Sequence, residues 1–103
     1  MNVVLVRWRD IPSQVIVRKG RRRARARLSG RFQNAIDRAA MRAKKHSADA
    51  YLNEWAREPI KPGADDAAAD LQVVADRLAA RIETRYSDDR LLAIIRNHGL
   101  AED

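Results

Sequence analysis

Arg21, Arg23, Arg25 and Arg27 occupy every second position of the stretch GRRRARARL, with Arg22, Ala24, Ala26 and Leu28 between them. Arginine works by holding anions, since its planar fork of N–H donors fits carboxylates, phosphates and guanine edges. The alternation is the informative part. A polybasic tail does not require it, whereas a strand does, because successive side chains point to opposite faces. Four guanidinium groups then share one face, and the small alanines share the other, which suits cover by a helix. Like charges crowded on one strand face destabilise it mildly. Carboxylates from elsewhere in the chain, or the acidic surface of a partner, would relieve them.

Catalytic chemistry has less to stand on. His46 and His98 fall near predicted helix ends and far apart in sequence, where the helix dipole alone accounts for a histidine. The chain has no HExxH, no P-loop and no GxSxG, the motifs that would carry metal, phosphate or nucleophile chemistry. The carboxylate pairs Asp65-Asp66 and Asp88-Asp89 open predicted helices, positions that the dipole favours for acids. There is no cysteine, which excludes disulfides, thiol catalysis and thiolate metal sites. The expectation is a protein that is not an enzyme and uses no cofactor or metal. Trp8, between Arg7 and Arg9, offers base stacking on one reading and core packing on the other, and packing is favoured. Trp55 shares an apolar stripe with Tyr51 and Leu52 and also reads as packing.

The elements that would position these residues follow from pattern. Residues 3–8, VVLVRW, are β-branched and aromatic and predict a strand. Pro12 is expected to end that region, since it cannot donate to a ladder. Residues 14–18 predict a second strand, Lys19-Gly20 a turn, and residues 21–28 a third strand paired back on the second. Ser29 then opens a helix in which Phe32, Ala35, Ile36, Ala39 and Ala43 recur at helical spacing. Ser47 opens a second helix over ADAYLNEWARE. A longer helix spans about residues 66–85, and a last one begins after Ser87 and stops at Gly99. The fold class is α+β: a small N-terminal antiparallel sheet of about three strands followed by about four helices. The chain divides into a basic sheet with two helices at 1–58, a linker at 59–64, and a helical C-terminal extension at 65–103. In the long helix Leu71, Val74, Leu78 and Ile82 form a narrow stripe suited to pairing with another helix, in a homodimer or on a partner. Packing on the same domain is the simpler arrangement.

With 103 residues the chain holds one domain, burying roughly two-thirds of the surface its unfolded form exposes. The first apolar run is too short for a signal peptide, and no stretch nears the ~20 apolar residues of a membrane span. A cytoplasmic protein without membrane contact is expected. Net charge is +7, distributed unevenly: residues 1–50 carry 14 Lys/Arg against 3 Asp/Glu, and residues 51–103 carry 7 against 11. This asymmetry points to an anionic partner, protein or nucleic acid, or to halves that attract each other.

Two resemblances bear on function. Residues 23–57 run strand, helix, Ser-capped helix, and in this they resemble ribbon-helix-helix repressors. In that family strands from two subunits pair into a ribbon that enters the major groove, which implies a DNA-binding transcriptional regulator with Arg21, Arg23, Arg25 and Arg27 outward. Against it, residues 14–18 offer the arginine strand a partner within its own chain. The first strand has no place in the repressor fold, and four identical arginines would contact mostly phosphate, in a salt-sensitive way.

The second resemblance covers residues 3–57. WRDIPSQV at 8–15, GRRRARARL at 20–28, RFQNAIDRAAMRA at 31–43 and DAYLNEW at 49–55 resemble the short bacterial proteins of the "virulence factor" family, with WRDIP the most specific piece. The family name specifies no reaction, and no catalytic residue carries over. The resemblance implies an accessory subunit or assembly factor for folate- or corrinoid-linked one-carbon enzymes. Trp8, Arg9 and Asp10 form a strand-to-turn corner that would dock a partner, or simply shape the turn. The expectation is an accessory or adaptor protein that docks on an acidic protein surface through Arg21, Arg23, Arg25, Arg27, Trp8, Arg9 and Asp10.

Overall fold

The computed structural model describes residues 1–63 and 69–101. Its N-terminal half is a meander of β-branched segments. Strand β1 is Asn2–Trp8, β2 is Ile11–Lys19 and β3 is Arg22–Arg27. Each connection is two residues long, and each needs one residue in the left-handed region: Arg9 at φ 49° in the first, Gly20 at φ 61° in the second. Glycine takes that conformation without a Cβ penalty. Arg9 must be held there by the contacts described below.

Pro12 does not end the sheet. It lies inside β2, opposite Arg7 and beside a shift of register between Val6 and Arg7. An irregularity of this kind is where a ladder accommodates a residue without an N–H.

After β3 come helix α1 at Gly30–Arg42 and a single-turn helix α2 at Ala48–Leu52. The expected helix over ADAYLNEWARE stops there, and Trp55–Ile60 forms a fourth strand, β4. It pairs antiparallel with β1, from Val3 opposite Ile60 to Trp8 opposite Trp55. Tyr51, Leu52 and Trp55 do recur at helical spacing, but β1 is apolar on both faces and lacked a second neighbour. Pairing there outweighs local helical preference. The sheet order is β3-β2-β1-β4, one strand more than the sequence pattern predicts.

Helix α3 is Leu71–Arg85 and α4 is Asp88–Arg96. The first turn expected at Asp65-Asp66 lies outside the described residues. The segment read as a linker is partly strand, since Pro59 and Ile60 belong to β4. Helix α3 lies across β2 and β3, with Leu71, Val74, Ala75, Leu78 and Ala79 buried in one core with Val15, Val17, Ala24 and Ala26. The alanines of the arginine strand let the helix come close. Helix α4 packs on α1, Leu91, Ile94 and Ile95 joining Phe32, Ala35, Ile36 and Ala39 in the same core. Among the described residues no helix is long and apolar enough to cross a membrane.

Candidate interaction face

The register assigns each side chain to a face. Val3 stands opposite Val17, which stands opposite Ala24, and Leu5, Val15 and Ala26 repeat the pattern one pleat on. This face lies under α3. The residues between them point the other way: Val4 and Val6 on β1, Gln14, Ile16 and Arg18 on β2, Arg23, Arg25 and Arg27 on β3, Arg57 and Pro59 on β4. Alternate residues on a strand are about 6.7 Å apart, so Arg23, Arg25 and Arg27 form an evenly spaced row. Arg18 stands directly opposite Arg23 and Arg25 opposite Ile16. Ile16 is buried yet stands outside the main core. Its cross-strand neighbours on this face are Val4 and Arg25.

The guanidinium groups of Arg18, Arg23, Arg25, Arg27 and Arg57 have no ion-pair or hydrogen-bond partner among the described residues. The carboxylates that form ion pairs among the described residues do so with other cations. Glu58 and Asp10 meet Arg7, Glu54 meets Arg9 and Lys45, and Glu83 and Asp88 meet Arg31. Arg22, on the helix side of β3 as the alternation requires, reaches Asp70 at 3.9 Å. Arg21 falls in the β2–β3 turn and is exposed. At one end of the row a hollow of about 370 Å³ is lined by Ser13, Gln14, Arg27, Leu28, Phe32 and Gln33. Gln14 Oε1 is buried without a hydrogen-bond partner among the described residues.

Trp8, Arg9 and Asp10 have a different setting. Trp8 is fully buried, donates its indole N–H to Tyr51 O at 2.9 Å and stacks on the Tyr51 ring. Arg9 lies over the Trp8 ring and donates to His98 O at 2.9 Å and to Glu54 Oε1 at 3.2 Å. Its Nε is buried without a partner among the described residues. Asp10 accepts from the Ala101 N–H at 2.7 Å, and its own N–H donates to Gly99 O at 2.9 Å. The corner thus ties the β1–β2 turn to β4 and to the end of α4. Trp8 has no surface to offer a partner.

The stripe of Leu71, Val74, Leu78 and Ile82 faces the domain's own sheet; Val74 is 0% exposed and Ile82 half-buried. Of the two arrangements the sequence left open, the structure shows this stripe packed on the apolar face of β2 and β3. His46 is exposed, and His98, at φ 63°, contributes its carbonyl to the Arg9 contact.

A latch absent from the sequence reading joins α1 to α3. The Ser29 N–H and hydroxyl both donate to the Glu83 carboxylate, at 2.6 and 2.9 Å, so Ser29 spends its side chain there and not on capping α1. Arg31 adds bonds to Glu83, to Tyr86 O and to Asp88. Partial burial pushes the Glu83 pKa up, but the Ser29 bonds and Arg31 outweigh it and hold the carboxyl below its ordinary value. Arg18, Arg57, Val4, Val6, Ile16 and Gln14 also enter the candidate site without having been singled out. The strand alternation of residues 14–18 could have pointed to Arg18, but Arg57 was hidden by the helical reading of its segment.

The ribbon-helix-helix arrangement does not form. Gln14 to Lys19 pair with Arg27 to Arg22 within one chain, so β3 is not free to build a two-subunit ribbon on that side, and the second helix is one turn followed by a strand. No curated protein and no solved structure matches the chain. The family model described as "Virulence factor" matches residues 6–95, which extends beyond the sheet and α1 through α3 and nearly all of α4. With 90 of its 103 residues inside that match, the chain belongs to the virulence factor family.

Proposed function

We propose that this protein is a non-catalytic accessory or adaptor protein that docks on the acidic surface of a protein partner through the arginine face of its sheet. The observation that supports this reading is that five arginines on one face have no carboxylate partner among the described residues, while the carboxylates that form ion pairs there do so with other cations. The apolar floor favours a protein over a nucleic acid. Val4, Val6 and Ile16 among arginines have the make-up of a protein interface, with an apolar centre and a charged rim rich in Arg. A single-stranded nucleic-acid platform would need exposed rings for stacking, and the aromatic residues of this sheet, Trp8 and Trp55, are both drawn into contacts with Tyr51. In the cytoplasm, the family resemblance suggests folate- or corrinoid-linked one-carbon enzymes as the machinery served.

The test is a pull-down from native lysate with tagged protein and added nuclease, washed at low and moderate salt and read by mass spectrometry. A stoichiometric protein that survives nuclease, and is lost from the Arg23→Glu/Arg25→Glu variant while its circular dichroism spectrum is unchanged, is the expected result. Retention of the same partner by the variant would overturn the reading. Recovery of nucleic acid alone, lost steeply with salt, would replace it.

A further inference from the structure

Among the described residues, the same strand that carries the arginines is an open edge of the sheet, and its register makes that edge chemically specific. The Leu28 N–H donates to Ser13 O across β2 and β3. N–H and C=O groups of a strand alternate in direction, so the even residues Ala24, Ala26 and Leu28 bond inward to β2. The N–H groups of Arg23, Arg25 and Arg27 then point outward from the free edge. Each of these residues offers an incoming chain a backbone donor and a guanidinium together. One outward acceptor has a stand-in: Gln72 Nε2, from α3, donates to Arg25 O at 3.0 Å, as the N–H of a neighbouring strand would. Beside it a hollow of about 360 Å³ is lined by Arg23, Ala24, Arg25 and Gln72.

The opposite edge is not equivalent. The Arg9 N–H donates to Glu54 O, which sets the direction of the β1–β4 ladder. By the same alternation the even residues of β4 bond inward, and Trp55, Arg57 and Pro59 face out. Pro59 has no N–H, and a proline on the outward side is a usual way of closing an edge.

We propose that the partner adds an extended acidic segment as a fifth strand along β3, with carboxylates at alternate residues opposite Arg23, Arg25 and Arg27. This rests on the docking reading above and specifies its occupant. Charge complementarity selects the segment, because opposite charges directly across a strand pair are favourable. Backbone bonding to the outward N–H groups supplies the rest, as in other strand-addition complexes. Gln72 gives up Arg25 O to the N–H of the incoming strand.

The test uses the full chain and a short capped peptide of alternating Glu and Val, compared with the same peptide N-methylated at the backbone positions facing β3. The expected result is binding that falls about tenfold or more on N-methylation, reflecting lost backbone hydrogen bonds. Slowed hydrogen exchange at the amides of Arg23, Arg25 and Arg27 should accompany it. Equal affinity of the two peptides without amide protection would overturn strand addition, yet leave docking through the guanidinium groups standing if Arg23→Glu/Arg25→Glu still abolishes binding. No binding of either peptide would also overturn it and assign the edge arginines to keeping the strand from pairing with other chains. The lysate experiment would then decide the docking reading separately.

Discussion

Gly99 sits at φ 89°, and a Cβ built on it would lie 2.9 Å from Cζ3 of Trp8 and 3.4 Å from Cβ of Ala39. Both neighbours are fully buried, so neither can give way cheaply. Gly20, at φ 61°, has nothing within 4 Å of such a Cβ. The two glycines separate backbone strain from steric overlap. Gly20→Ala is expected to cost about 1 kcal/mol, the penalty of the left-handed conformation alone. Gly99→Ala should cost about 2 kcal/mol more, because overpacking adds to it. Urea denaturation of the two variants checks the difference, and equal losses would show that the Trp8 contact is not tight. Contacts at the same corner explain why Arg9 tolerates φ 49°: its side chain is fixed by Trp8, Glu54 and His98, so the corner over-determines its backbone.

At the scale of elements, the Ser29–Arg31–Glu83 latch joins the start of α1 to the last turn of α3, and Arg31 extends it to Asp88 at the start of α4. Glu83 has its pKa held below the ordinary 4.5, so the folded state favours its charged form. That contribution is present in full above the unfolded pKa and is lost as pH falls through the folded one. Glu83→Gln should therefore be less stable than the parent at neutral pH, with the gap closing as pH drops below the ordinary carboxylate range. Urea midpoints of both proteins across that pH range provide the measurement. Curves that stay parallel into acid would show that the latch acts through packing and not through charge. The latch also accounts for the orientation of α1, which no side-chain cap bond from Ser29 anchors locally.

For the whole molecule, the basic sheet and the C-terminal helices share one core. Without α3, the face of Val15, Val17, Ala24 and Ala26 would be open to water, and without α4 the buried side of α1 would be too. A chain ending at residue 63 is expected to lack the cooperative unfolding transition of the full protein, measured by thermal denaturation followed by circular dichroism. A cooperative transition in that fragment would show that the sheet is self-sufficient. The charge asymmetry takes a new meaning at this scale as well. Among the described residues, the acidic second half does not neutralise the arginine strand beyond the Arg22–Asp70 contact on its helix side. Its carboxylates serve Arg7, Arg9, Arg31 and Lys45, and a basic face is left on the sheet.

The α+β class, the three N-terminal strands, the arginine face and the alanine face were legible in the sequence, because a period of two residues is a local property that a strand cannot disguise. The stripe of Leu71, Val74 and Leu78 was legible for the same reason, at the helical period. What covers that stripe was not, since an apolar face is the same to its own sheet as to another protein. Tertiary structure alone decided that Trp55–Ile60 is a strand, because the segment's helical spacing was overruled by β1's need for a neighbour. It also decided that Pro12 lies within β2, where a shifted register absorbs its missing donor. The arginines that remain unpaired were decided there too, since whether a carboxylate comes within reach depends on contacts between residues such as Ser29 and Glu83, far apart in the chain and brought together by packing.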